Sequence, residues 1–323
     1  MKKMVSIFYK PFLETNDLND RAKAYAATRG IEYEWIKIPE DQFTNEKAIC
    51  ALKDADCGLI DTQVFDKAIF SQINHRCKLI IRYGVGYDAV NLEDAKKYGV
   101  RVARTTGANA LAVAEMAITM MLTLSRRIIA AHLTDKFQWK TVIGENLSGK
   151  TVGILGFGAV GQALAKLLQG FGCVVYAYDM YHDDAAAKQL GVRFAELDQI
   201  LEESDIISCH LALNEETKEL ICRETIDRMK DGVIIINTAR GGLIDDNSLI
   251  DAIKSGKVGG AGLDVFSTEP LPMESEYRGL ENVVLTSHMA SASIGGYWNI
   301  YKTAIDAAAD YFEGHENKKM MLI

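Results

Sequence analysis

With 323 residues, 48% of them hydrophobic and 25% charged, the chain is long enough for one large or two ordinary domains and apolar enough for real cores, which excludes a disordered protein. A formal net charge of −8 and the lack of any basic block argue against a nucleic-acid-binding face or a polybasic membrane patch. The longest apolar segment, residues 110–124, is interrupted by Glu115 and falls short of the roughly 18 residues that mark a membrane span, so it reads as a buried helix.

At the start, Met1-Lys2-Lys3-Met4 carries the charge of a signal-peptide head. The apolar stretch 5–8 ends at Tyr9-Lys10-Pro11, too short for a signal core, and reads as a first strand. Further strands are expected at 33–36, 58–60, 79–82 and 100–103. Helical stretches alternate with them, among them 21–28, closed by Gly30, and 92–98, capped by Asn91 and ended by Gly99. That alternation describes a five-stranded doubly wound sheet. One long helix is expected from 109 to about 131, then a polar stretch to 149. A second sheet opens at 151–155 and continues through 174–178, 192–194, 206–208, 233–236, 260–265 and 283–285. The last helix, 292–312, follows that sheet and is expected to cross back onto the first lobe. The fold class is therefore α/β, with two doubly wound parallel-sheet domains: a discontinuous one over 1–103 and 292–323, and another over 104–291. Six scattered cysteines without a CxxC pair read as reduced core thiols of a cytoplasmic protein, with no metal site.

The turn Gly156-Phe157-Gly158-Ala159-Val160-Gly161 lies between the strand at 151–155 and a helix, the context of a Rossmann-type dinucleotide site. Its first glycine permits the tight turn, the second lets a pyrophosphate approach, and the third packs helix on strand. The helix N-terminus then offers free N–H groups to the phosphates. The next strand ends in Asp179, where a carboxylate accepts hydrogen bonds from the adenosine ribose and repels a 2′-phosphate. No Arg or Lys follows in Met180-Tyr181-His182, so NAD is expected over NADP.

Reducing a carbonyl beside a carboxylate requires a fixed cation for the carboxylate and a group that delivers a proton as hydride arrives. Arg240 follows the strand at 233–236, and its planar fork matches a carboxylate. The adjacent Gly241 and Gly242 are expected to leave room for a cofactor ring. His288 follows the strand at 283–285, and Glu269 follows the strand before it; a carboxylate held on an imidazole stabilises the protonated ring. Singly, each has a bland reading as a surface or salt-bridge residue. Together they lie at the carboxyl ends of parallel strands, where open α/β sheets bind ligands.

These segments resemble the D-isomer-specific 2-hydroxyacid dehydrogenases over nearly the whole chain. The resemblance rests on the glycine turn with Asp179, on Asn237-Thr238-Ala239-Arg240-Gly241-Gly242-Leu243-Ile244-Asp245, on the run from Gly262 to Pro270, and on the run from Asn282 to His288. It implies that Arg240 binds substrate, His288 is the acid/base and Glu269 supports it. It implies a flavodoxin-like discontinuous substrate domain beside the Rossmann NAD domain. It also implies that Ala159, Val160, Thr238, Ala239, Arg240, Asp264 and His288 touch NAD, with Asp264 near the nicotinamide amide. The loop Arg82-Tyr83-Gly84-Val85-Gly86-Tyr87-Asp88 resembles the family's substrate loop, in which the Val85 and Gly86 N–H groups face the carboxylate. A homodimer through the NAD domain is implied too, with the helix after Asn109 and the arm carrying Trp139 at its interface. His75, His132, His182, His210 and His315 are read as structural or exposed.

The expected activity is NAD-linked interconversion of a short D-2-hydroxy acid and its 2-keto acid, as in hydroxypyruvate or glyoxylate reductases. Phosphoglycerate oxidation is the alternative within the family. There the strand at 58–60 ends in Asp61 where phosphoglycerate dehydrogenases tend to carry Arg, with Lys10 as a partial replacement. The alternative of another class is an NAD(H)-sensing binding protein like the C-terminal-binding-protein corepressors.

Overall fold

Twelve strands make two all-parallel sheets among the residues that a computed structural model describes, which are all but Thr15, Glu316 and the side chains of 11, 12 and 135–138. The chain divides into two compact units, Met1–Asn109 with Ser293–Ile323, and Ala110–Ala292. The first unit thus runs to Asn109 rather than residue 103, and resumes at Ser293 rather than 292. The turn after the strand Arg101–Arg104 stays with the first sheet because Thr105 Oγ1 accepts the Gly84 N–H at 2.8 Å.

In the first unit, β1 (Lys2–Ser6), β2 (Ile31–Trp35), β3 (Cys57–Ile60), β4 (Leu79–Arg82) and β5 (Arg101–Arg104) lie in the order β2-β1-β3-β4-β5. That is the flavodoxin-like order, whose reversal point lies between β1 and β3. Both faces are covered, as parallel sheets require. On one face the helices Leu18–Thr28 and Ile294–Phe312 bury Leu18, Ala22 and Ala26 with Ile300, Ala304, Ile305 and Ala308. Helices Asn45–Leu52 and Lys67–Ile73 cover the other face with Leu52, Ile69, Phe70 and Ile73. The last helix is fixed to the first by Tyr25 Oη donating to Asp306 at 2.8 Å and Arg29 pairing with Asp310 at 2.9 Å. The tail then follows β5, where Leu322 N donates to Val102 O.

In the second unit, β6 (Thr151–Leu155), β7 (Val174–Tyr178), β8 (Arg193–Phe194), β9 (Ile206–Cys209), β10 (Val233–Asn237), β11 (Val258–Leu263) and β12 (Val283–Leu285) take the order β12-β11-β10-β9-β6-β7-β8. The order reverses between β6 and β9, so the carboxyl end of β6 opens on the crevice where such sheets hold dinucleotides. β11 starts two residues before the expected strand. Its glycines hide it from propensity, yet a Cβ on Gly259 would lie 2.5 Å from Gly232 O and one on Gly260 2.9 Å from Asn282 O.

The single long helix expected from 109 is instead two, Ala110–Ser125 and Ile128–Gln138. Apolar residues continue through Ile128 and Ile129, so the pattern hides the break. Arg127 adopts the left-handed conformation (φ 50°), and the returning chain at Gly144 crosses so closely that a Cβ there would lie 2.6 Å from Ser125 O. Glu145 N then takes that carbonyl at 2.7 Å. Cys57, Cys77 and Cys209 are buried, but Cys50 is exposed rather than a core thiol. No helix among the described residues is long and apolar enough to cross a membrane.

Candidate active site

β6 delivers the chain into the glycine turn. Gly156 has φ 105°, and a Cβ there would lie 2.6 Å from the backbone of His210, which follows β9. Gly161 begins the second residue pair of the helix Ala159–Leu168 so close to the turn that a Cβ would sit 2.1 Å from Gly156 O. Gly158 differs: nothing lies within 4 Å of its missing Cβ, and the residue is exposed. No side chain caps this helix, whereas Asp183, Asp245 and Ser293 cap theirs. The N–H groups of Ala159 and Val160 therefore remain donors for an anion above Gly158.

Asp179, just past β7, binds the turn with one carboxylate oxygen and its own following loop with the other. Oδ2 accepts the Phe157 N–H at 2.7 Å and Oδ1 accepts the Tyr181 N–H at 3.0 Å. Each oxygen keeps a second lone pair for a further donor. A depression of about 610 Å³ is lined by Gly158, Asp179, His182 and Asp183 among others. His182 is exposed and stacks on Phe194 at 4.0 Å.

Beyond β10, the Asn237 side chain builds the next loop by itself. Its Nδ2 donates to Arg240 O at 2.9 Å and its Oδ1 accepts Ala239 N at 3.1 Å. Asn237 is 1% exposed, and its place at the strand end in the motif is the signal that marks it as the support of Arg240. Thr238 is also buried, and its Oγ1 has no hydrogen-bond partner, an orphaned hydroxyl in the loop expected to meet the dinucleotide. The glycines after Arg240 do not leave space for a ring. A Cβ on Gly241 would fall 1.9 Å from the Phe266 backbone, and one on Gly242 2.9 Å from Leu213. Gly241 is a glycine because the backbone of the neighbouring loop passes over it, and Gly242 faces the Leu213 side chain.

That neighbouring loop carries Glu269. Its Oε1 accepts Phe266 N at 3.0 Å and its Oε2 lies 2.8 Å from His288 Nδ1. A carboxylate only accepts, so Nδ1 carries the hydrogen and Nε2 is left for a ligand. His288 itself has φ 50°, a conformation that costs a non-glycine residue about 1–3 kcal/mol unless its surroundings enforce it. Asp264 does so. It is 0% exposed, and its carboxylate accepts from Thr286 Oγ1 (2.5 Å), Met289 N and Ala290 N (both 2.8 Å), while its carbonyl accepts His288 N at 2.8 Å. Asp264 thus holds the histidine loop in place. Arg240, Glu269 and His288 line one depression of about 560 Å³.

In the first unit, Gly84 (φ 126°) turns the loop after β4, and Arg104 Nη1 donates to Val85 O at 3.4 Å. Among the described residues, the Val85 and Gly86 N–H groups have no hydrogen-bond partner. Asp61, beyond β3, pairs with both Lys10 and Arg82 at 2.9 Å. Tyr83 and Trp298 pack rather than line a surface: the Tyr83 ring lies tilted against Phe8 at 4.6 Å, and the Trp298 ring lies under Arg21. Of the remaining histidines His210 alone is not exposed; its Nε2 lies 2.9 Å from Ser208 Oγ, and burial pushes its pKa down to about 4.

Residues 118–290 match the family described as D-isomer specific 2-hydroxyacid dehydrogenase, NAD binding domain. A hydroxypyruvate reductase of Thermotoga maritima is 36% identical over 281 residues, covering 85% of this chain and 91% of its own. A glyoxylate reductase of Thermococcus litoralis is 40% identical over 270 residues, 80% of this chain and 81% of its own. The structure of D-lactate dehydrogenase from Escherichia coli superposes with a TM-score of 0.80 at 30% identity, over 99% of this chain and 100% of that one.

Replacing Asp264 with Ala strands buried donors and should lower unfolding stability by about 3 kcal/mol or more in urea titration. A loss below about 1 kcal/mol would show that its three bonds do not organise the loop. His210 gives a pH signature. Its folded pKa lies below the ordinary 6.5, so the unfolded chain takes up a proton first and stability is lost as pH falls from 6.5 towards 4. His210→Gln should flatten the acid limb of stability in that window and leave the limb above it unchanged.

Proposed function

The chain belongs to the D-isomer specific 2-hydroxyacid dehydrogenase family, whose enzymes interconvert hydroxy and keto acids, and on that premise we propose that it does so with Arg240, Glu269 and His288. The observation that carries this reading is the 2.8 Å contact between Glu269 and His288 Nδ1 in the depression that Arg240 also lines. Arg240 holds the substrate carboxylate with its planar guanidinium and so turns the carbonyl oxygen towards His288. His288 Nε2 gives a proton to that oxygen in reduction and takes it back in oxidation. Glu269 keeps the ring in the tautomer that leaves Nε2 to the substrate and balances the charge of the protonated ring. In the first unit, Val85 and Gly86 offer two N–H groups as donors to a carboxylate.

The dinucleotide fits the residues present. The open position above Gly158, the uncapped helix start at Ala159 and Val160, and the partnerless Thr238 hydroxyl are what a pyrophosphate and its ribose would fill. When bound, the cofactor supplies or accepts the hydride at the substrate's carbinol carbon. Asp179 supports NAD over NADP, because its carboxylate, with Asp183 beside it in the same depression, opposes a 2′-phosphate. A keto acid with a small uncharged side chain is favoured over a phosphorylated one. At the carboxyl edge of the first sheet, Asp61 occupies both Lys10 and Arg82, which weakens their hold on a phosphate.

A homodimer is proposed as well. Ile128, Leu133, Trp139 and Ile143 are 52%, 52%, 88% and 81% exposed on one helix and the arm after it, more apolar surface than a lone subunit leaves in one stretch. Sedimentation at a monomer mass at micromolar concentration would refute it. The central test of function is oxidation of NADH and of NADPH with hydroxypyruvate, glyoxylate, pyruvate, branched keto acids and phosphohydroxypyruvate. Turnover is expected with NADH and a short unphosphorylated keto acid. His288→Ala should lose turnover by about a thousandfold while NADH still quenches protein fluorescence. Full activity in that variant rejects the assignment.

A further inference from the structure

We propose that Asp246 and Arg278 position the Glu269 carboxylate by pinning its loop on both sides, an inference that rests on the roles of Glu269 and His288 above. The need for such residues follows from the loop itself. Among the described residues, 265–271 make no backbone–backbone hydrogen bond, and Ser267 to Pro270 are exposed. A glutamate has three side-chain torsions, so where its carboxylate points depends on where its Cα is held. Regular structure does not hold it here.

Side chains from outside the loop do. Two residues before Glu269, Ser267 Oγ donates to Asp246 Oδ2. The other oxygen of Asp246 accepts the hydroxyl of Tyr277, which is 2% exposed, at 3.0 Å. Two residues after Glu269, Arg278 reaches back to the main chain: its Nη2 donates to Leu271 O at 2.8 Å and its Nε to Pro272 O at 3.0 Å. Asp246 opens the helix Asp246–Ser255, and Arg278 lies in the short turn Glu276–Gly279. Lys254 pairs with Glu276 and the Tyr277 hydroxyl pairs with Asp246, so both anchors belong to one braced piece. Glu269 sits midway between the two pins, with its own Oε1 on Phe266 N and its Oε2 on the imidazole. Neither Asp246 nor Arg278 has to meet substrate for this. They act through the carboxylate, by keeping the imidazole at the angle and tautomer that proton transfer needs.

The test compares Ser267→Ala and Arg278→Met, which release one pin each, with Ser267→Thr, which keeps the hydroxyl. The readouts are kcat and KM for whichever keto acid of the panel turns over fastest, and the NADH Kd from fluorescence. The expected result is a fall in kcat of about tenfold in Ser267→Ala and in Arg278→Met, with KM and the NADH Kd within about twofold of the parent. Ser267→Thr should keep the parent kcat. Glu269→Gln and His288→Ala run alongside to separate two failures. If those two lose turnover while Ser267→Ala and Arg278→Met keep the parent kcat, the positioning role is overturned. A lower melting temperature in either pin variant with unchanged kcat would overturn it too, since that is what a merely structural brace predicts. If Glu269→Gln and His288→Ala turn over normally, the acid/base reading falls and takes this inference with it.

Discussion

The chemistry-bearing end of the second unit depends on one buried carboxylate. Asp264 has no exposed surface, and its carboxylate accepts three hydrogen bonds from the loop that carries His288. Those bonds let a histidine stand in the left-handed region, a conformation its neighbours have to impose. Asp264 also ties this loop to the preceding one, because its own N–H donates to Asn237 O at 3.0 Å, the residue that shapes the Arg240 loop. Three loops that share no regular structure are thereby coupled through one side chain and one strand end. The strand order makes this possible, since β10, β11 and β12 lie side by side and end together.

Close backbone approach is the second constraint, and the glycines answer to it in two different ways. Gly156, Gly161 and Gly241 are filled positions: another stretch of main chain already occupies the place of a side chain. Of these four, Gly158 alone is an open position, where the missing side chain leaves space for a ligand. The difference decides what a substitution would do. A side chain at the filled positions displaces backbone and reshapes the site, whereas one at Gly158 leaves the fold intact and obstructs whatever anion the helix start attracts.

Much of the fold was legible in the sequence because parallel strands buried on both faces read as short apolar runs; β4, β6, β7 and β12 have the expected bounds. The helix from Ala110 was mistaken for one element because its break is made by tertiary contact at Ser125 and Gly144, which no local pattern records. The residues of the depression were legible as a set, since strand ends and motif spacing bring Arg240, Glu269 and His288 to one edge. Their supports were less so. The motif marks Asp264 as a residue that matters, but its three bonds to the His288 loop can be read only from the structure. The glycines after Arg240 were given to a ring because a motif states that a residue matters and not which way it faces. Asp246 and Arg278 carry no motif at all; their role exists only once the loop around Glu269 is seen to lack backbone bonds of its own.

On the proposed mechanism, Glu269 fixes the tautomer of His288 so that Nε2 faces the substrate. Nitrogen NMR of protein labelled at histidine, with the His288 signals assigned by their loss in His288→Ala, measures this directly in the neutral ring. Nδ1 is expected to carry the proton with Nε2 bare, and Glu269→Ala is expected to lose this preference. A neutral ring protonated at Nε2, or a preference unaltered when Glu269→Ala removes the acceptor, would contradict it.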